Sequence, residues 1–296
     1  MLHTLAFNIF SFFFCVTNLK RLFINSSFLP KAGALKYNSQ PFFGSYGDIQ
    51  TTDEEARKLL LSEWNRLVTG SNVCSGTIIE NPVKERKNLV SENEIIYNSE
   101  DTRIGQYTDL SICDGDIENI WSLLHVKTRN ALRKGLNQGF VVNSDCAEWD
   151  FLKEKHFESM KKIDGVSKSE QFFSQVPKHF RSDEQFRIWT AYSDGKPVSS
   201  ILLFYWGSSI EYFLPVVKSE YRSLQPLSCV IFEAMKDAIK RGFTLWNWGG
   251  TWQSQKGVYR FKYRWGATDR EYRYFTQLNN FEIKEKDKKE LLSFYP

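Results

Sequence analysis

The clearest periodic stretch follows Pro226, where Leu227, Val230, Ile231, Ala234, Met235, Ala238 and Ile239 recur at i, i+3, i+4 and i+7. That spacing lays one apolar stripe along a helix and predicts that the stripe covers a sheet. Lys236, Lys240 and Arg241 fall in its last turns, where cations suit the negative helix end, and Gly242 stops it. Three strand-like segments precede it, 186–192, 198–205 and 210–217. Asp194-Gly195 and Gly207-Ser208-Ser209 separate them, which predicts an antiparallel meander. Residues 243–248 and 272–278 read as further strands, so one mixed sheet is expected across 186–278.

The earlier part of the chain is patterned less regularly. Thr52-Asp53-Glu54-Glu55 reads as a capping box, with Thr52 as N-cap. The helix it opens runs to about Thr69, with Ala56, Leu60, Trp64 and Leu67 on its apolar face, and Gly70 ends it. Short strands are expected near Cys74–Ile79 and Glu94–Tyr97, with a charged loop, Val83–Asn88, between them. A second helix is expected over about 117–138, basic at its centre, then a strand at Phe140-Val141-Val142 and a third helix over 146–162. Leu5 to Val16 is an apolar run too short to span a bilayer as a helix, and no Lys or Arg precedes it as in a signal peptide. It reads as buried strand. Strands interleaved with helices make the class α/β (α+β).

Composition narrows the function. A chain of 296 residues suggests two domains. The net charge of +4 permits an anionic ligand but lacks the basic excess of a DNA-binding protein. The five cysteines are scattered without a C-x-x-C, which fits a reduced, cytoplasmic setting. The four histidines show no H-x-x-x-H spacing, so no metal is expected. Aromatic residues make up 16% of the chain, and Trp246, Trp248, Trp252 and Trp265 crowd into one short stretch, more than an ordinary core needs.

That stretch carries the candidate chemistry. A strand leads to Gly249-Gly250, where the missing side chains let a ligand or another backbone come close. Gly257-Val258-Tyr259-Arg260-Phe261-Lys262 follows. A lysine among aromatics is partly desolvated and keeps its donors, which suits it to stabilising developing negative charge. The alternative is a cluster of core aromatics with Lys262 turned to solvent. Asp114 and Asp116 read as turn and cap residues, and Cys229 as a structural thiol on the polar face of its helix.

Asp194-Gly195-Lys196-Pro197-Val198, Glu220-Tyr221-Arg222, Trp248-Gly249-Gly250, Gly257-Val258-Tyr259-Arg260-Phe261-Lys262 and Gly266 occur in the order and spacing of FemAB-like proteins. The loop 41–47, with Tyr46, and the basic segment Lys127–Lys134 are similar too. The chain therefore resembles this double-GNAT group, related to peptidoglycan bridge-forming enzymes, over roughly Ser39 to Gln277. The resemblance implies two GNAT-like domains, the first smaller or incomplete. They would be an N-terminal domain over 1–115, a linking helix over 116–140 and a C-terminal domain over 141–296. It also implies transfer of an acyl or aminoacyl group onto an amine, with Lys262 stabilising the intermediate. Two departures stand out. Asn247 occupies a position where many relatives carry Asp. Tyr221-Arg222-Ser223-Leu224-Gln225-Pro226 has no glycine where acetyltransferases grip the CoA pyrophosphate with a glycine loop.

The leading reading is an N-acyltransferase acting on an amino group of a sugar, peptide or lipid-linked cell-envelope precursor, with acyl-CoA as a candidate donor. Lys262 and Tyr259 are its candidate catalytic residues. Arg129, Arg222, Tyr221, Tyr46, Trp248, Gly249, Gly250 and Phe261 are candidates for substrate binding. Two alternatives stay open: an aminoacyl-tRNA-dependent bridge transferase, and a non-catalytic protein whose aromatic cleft binds glycan or RNA.

Overall fold

The computed structural model describes residues 9–17, 20–29, 34–38, 49, 53–83, 94–165, 167–251 and 255–279. The protein is mixed α/β, as the strand and helix periodicities imply. It divides into two units, residues 1–105 with 270–296, and residues 106–269. The helix expected to link two domains lies inside the second of these.

In the first unit β1 (Ile9–Thr17), β2 (Lys20–Leu29) and β3 (Ala34–Asn38) pair antiparallel in sequence order. A parallel ladder joins β3 to β4 (Val73–Ile79), the connection containing α1 (Glu54–Val68). Trp64 and Val68 of α1 are buried beside Val73 and Ile78 of β4. A Cβ at Gly76 would overlap Val68 Cγ1, so the helix lies directly on the strand there. The cap of α1 is Asp53, one residue later than expected, whose carboxylate accepts from Ala56 N at 2.8 Å. Thr52 lies outside the described residues. Glu94–Tyr97 is turn and bend rather than strand. The strand is β5 (Ser99–Asp109), whose buried positions include Gln106 and Thr108. Its polar sequence hides it from a hydrophobicity pattern.

In the second unit the sheet runs in the order β10-β9-β8-β7-β6. β7 (Phe186–Ser193), β8 (Lys196–Trp206) and β9 (Ser209–Val217) form the expected antiparallel meander. Asp194 and Gly195, with φ of 50° and 71°, make the tight turn between β7 and β8. β6 (Val141–Asn143) pairs with the outer side of β7. Side chains alternate across β8, and each face has its own core. Ile201, Leu203 and Tyr205 pack with α6 (Pro226–Lys240), whereas Leu202 and Phe204 pack with α4 (Trp149–Lys162) and α5 (Glu170–His179).

The basic helix expected over 117–138 is interrupted. A 3-10 turn at Ile117–Asn119 leads into α2 (Ile120–Leu123), and α3 (Val126–Leu136) starts afresh. Leu124 and His125 are extended between them, and His125 Nδ1 accepts from Lys127 N at 3.1 Å as a new cap. Asp116 caps the 3-10 turn through Glu118 N, the cap role read from the sequence. α3 presses on the start of α6, where a Cβ on Gly135 would come within 2.7 Å of Cys229 Sγ and 2.9 Å of Gln225 O. Cys229 is accordingly buried at 2% exposure, not on a polar face, and burial pushes its thiol up to about 11. Among the described residues no helix is long and apolar enough to cross a membrane.

Candidate functional site

β10 (Leu245–Thr251) positions the site. Its ladder with β9 is parallel and ends at the pair Asn247↔Glu211. Trp246 and Trp248 are buried in the core beneath α6, so the alternation of the strand turns Asn247 to the other face. There Asn247 Nδ2 donates to Glu211 Oε2 at 2.5 Å, and its Oδ1 accepts from Gly249 N at 2.8 Å. Gly249 has a φ of 75°, a backbone conformation that a side chain would strain.

The Gly-x-Tyr-x-Phe-Lys segment, for which the sequence predicts no element, is helix α7 (Lys256–Tyr263). Helical spacing turns Lys262 inward while Lys256, Arg260 and Tyr263 stay exposed. Only 6% of Lys262 is exposed, and its ammonium donates to Gly249 O at 3.3 Å, Gly250 O at 3.0 Å and Thr251 Oγ1 at 2.8 Å. Three donors thus meet three acceptors at the end of β10. Burial lowers Lys262 to about 8, against a smaller upward pull from the Glu211 carboxylate.

The network continues outward. Thr251 Oγ1 donates to Gln106 Oε1 at 2.9 Å, and Gln106 Nε2 donates to Tyr259 O at 3.3 Å and Asp269 Oδ1 at 3.4 Å. The Tyr259 hydroxyl donates to Asp269 Oδ2 at 2.7 Å, and that bond chiefly raises its pKa. Behind Lys262, the Trp248 indole N–H is held by Thr108 Oγ1 at 2.9 Å, which in turn donates to Trp265 O at 3.1 Å. The arrangement holds a cation and a carboxylate around a glycine pair near the end of β10, where two parallel strands part. It can place positive charge, backbone groups and a base close to one ligand.

Residues 125–263 match the family described as Acetyltransferase (GNAT) domain. The matched stretch is just under half of the chain. It contains α3, the meander, α6, β10 and α7, and therefore Asn247, Glu211 and Lys262. No curated protein matches the chain in sequence. Solved structures share its fold at low identity. The chain is similar to FemX with a TM-score of 0.66 and 13% identity, covering 90% of this chain and 88% of FemX. It is similar to the C-terminal domain of a putative lysylphosphatidylglycerol synthetase from Agrobacterium fabrum, with a TM-score of 0.58 and 12% identity, covering 88% and 82%. L-PGS from Bacillus licheniformis gives a TM-score of 0.57 and 15% identity, covering 93% and 88%.

Within the matched stretch the structure brings Lys262, Gly249 and Gly250 into direct contact, with Trp248 and Phe261 packed behind them at 6.0 Å between ring centroids. Trp248 is buried at 2% exposure and walls the site from inside rather than lining its surface. Tyr259 shares α7 with Lys262, but its hydroxyl turns to Asp269 instead of the amine. Tyr221 and Arg222 sit on the 3-10 turn Ser219–Leu224 before α6, Tyr221 half-buried with its ring 6.4 Å from Phe140 and Arg222 exposed. Arg129 is half-buried on α3. Tyr46 lies outside the described residues.

Sequence reading missed Glu211, Thr251, Gln106 and Asp269. Glu211 had a legible signal, a lone carboxylate inside the apolar strand Ile210–Leu214. The other three become visible only when distant segments meet. Among the described residues no group of His, Cys, Asp or Glu is arranged to hold a metal ion.

Proposed function

We propose that this protein moves an acyl or aminoacyl group onto an amino group of a sugar, peptide or lipid-linked cell-envelope precursor. The observation that carries the reading is the buried Lys262 ammonium on the Gly249 and Gly250 carbonyls, within the stretch that matches the GNAT domain. Amide formation needs a neutral amine, a held ester or thioester, and stabilisation of a tetrahedral oxyanion. Glu211 takes the proton of the incoming ammonium, held in place by the amide of Asn247. The carboxylate absent at position 247 is in this way supplied from β9. The amine nitrogen bonds to the acyl carbon and the carbonyl oxygen gains negative charge. Lys262 meets that charge by exchanging its longest contact, the one to Gly249 O. The bond to the leaving sulfur or oxygen then breaks as the new amide nitrogen gives up its second proton, which Tyr259 relays to the leaving atom.

Either donor class, acyl-CoA or aminoacyl-tRNA, fits this chemistry. The likeness of the fold to FemX and to the lysylphosphatidylglycerol synthetase domain supports an envelope acceptor. Thermal-shift measurements against acyl-CoAs, aminoacyl-tRNA, nucleotide-linked sugars, glycans and RNA test the reading. A ligand at a hundredfold excess over its Kd stabilises the folded state by about 2.7 kcal/mol. In a protein of this size that raises Tm by about 5–10 °C. Stabilisation by glycans or RNA with no response to any acyl donor would replace the enzyme by a binding protein.

A further inference from the structure

Helices α3 and α7 meet end to end, His125 N donating to Arg264 O at 3.0 Å. α3 contributes Lys127, Arg129, Arg133 and Lys134, and no acidic residue. α7 contributes Lys256 and Arg260, followed by its C-cap Arg264, and again no acidic residue; its remaining cation, Lys262, is buried. Among the described residues none of these seven cations has a carboxylate partner. Elsewhere the protein commonly pairs its cations, as in Arg57–Glu94 and Arg187–Asp237. Asp269, the carboxylate nearest α7 in sequence, already accepts from Tyr259 and Gln106.

The same two helices also expose apolar side chains. Val126 and Leu136 on α3, and Val258 and Tyr263 on α7, are each more than 40% exposed. Tyr259 and Tyr263 stack with ring planes 10° apart. Basic residues interspersed with exposed aliphatic and tyrosine side chains match a surface with a charged headgroup layer and an apolar layer just beneath it. Cations alone would suit a phosphate backbone equally well. The aliphatic side chains gain nothing from such a backbone and do gain from lipid.

We infer that the α3–α7 surface docks this protein on an anionic phospholipid bilayer. Each cation near such a surface strengthens attachment about fivefold at low salt. Exposed apolar groups add a part that salt does not screen.

Co-sedimentation of the full chain with vesicles tests this, using phosphatidylcholine alone and phosphatidylcholine mixed with phosphatidylglycerol. Binding is expected to the mixed vesicles only, and to weaken as salt rises. Lys127→Gln, Arg133→Gln and Lys134→Gln together, all at exposed positions, should weaken it about a hundredfold. Val258→Ser with Tyr263→Ser should remove the attachment left at high salt. Circular dichroism and Tm of each variant establish that it folds, and an RNA oligonucleotide serves as the competing anion. Equal binding to neutral vesicles, no binding to either, an unaltered triple variant, or tight RNA binding without vesicle binding would each overturn the inference. None of these outcomes bears on whether Lys262 supports acyl transfer.

Discussion

Replacing Lys262 with Met tests the site through stability before any substrate is known. The ammonium is held at about 8 against an ordinary 10.5, and only 6% of the residue is exposed. At about 1.4 kcal/mol per tenfold change in proton affinity, keeping it charged at neutral pH costs about 3 kcal/mol of folding free energy. Between those two values the unfolded chain keeps a proton that the folded protein has released. Stability from this group therefore rises with pH from about 8 to 10.5 and is lowest below that window. Met fills the same space and removes the charge, but leaves the carbonyls of Gly249 and Gly250 without their partner, a cost of about 1–3 kcal/mol each. Near pH 7 the two effects oppose one another, so the variant should fold with a Tm close to wild type. Toward pH 10 the wild type alone gains stability, and the gap should widen by on the order of 5–10 °C. Thermal melts of both proteins at half-unit pH steps measure this directly, since all other titrating groups cancel in the difference. Parallel Tm curves across the window would refute a buried, charge-burdened Lys262. Once a donor is identified, the same variant should lose roughly a hundredfold in kcat, with Lys262→Arg recovering only part.

Gly135→Ala puts a methyl group within 2.7 Å of Cys229 Sγ and 2.9 Å of Gln225 O, so it should lower Tm by several degrees for a cost of about 1–3 kcal/mol, partly relieved by Cys229→Ala. An unchanged Tm would mean that α3 does not press on the start of α6. Arg129→Ala and Arg222→Ala should raise the acceptor KM more than they lower kcat if the acceptor is anionic, because guanidinium groups grip phosphate and carboxylate in the ground state. Steady-state kinetics decide it, and neutral behaviour of both would assign the acceptor to other residues.

Local patterns foretold much of the second unit because its elements are stabilised by neighbours close in sequence. The stripe from Leu227 to Ile239 had to be a helix against a sheet, and Asp194-Gly195 had to turn. The order of short motifs was enough to place the chain beside an acyltransferase family and to single out Lys262. Other features depended on partners far away along the chain. β5 is polar in sequence and becomes a strand because Gln106 and Thr108 find hydrogen-bond partners at Thr251, Tyr259, Trp248 and Trp265. The segment after Gly257 carries no clear periodicity, and only the fold shows α7 laying Lys262 on the end of β10. That burial, which no spacing rule encodes, sets the charge behaviour of the lysine. That Asn247 meets the Glu211 carboxylate was out of reach for the same reason. It requires two strands to run parallel and stop pairing at that one position, and strand register is decided by the packing of the whole sheet.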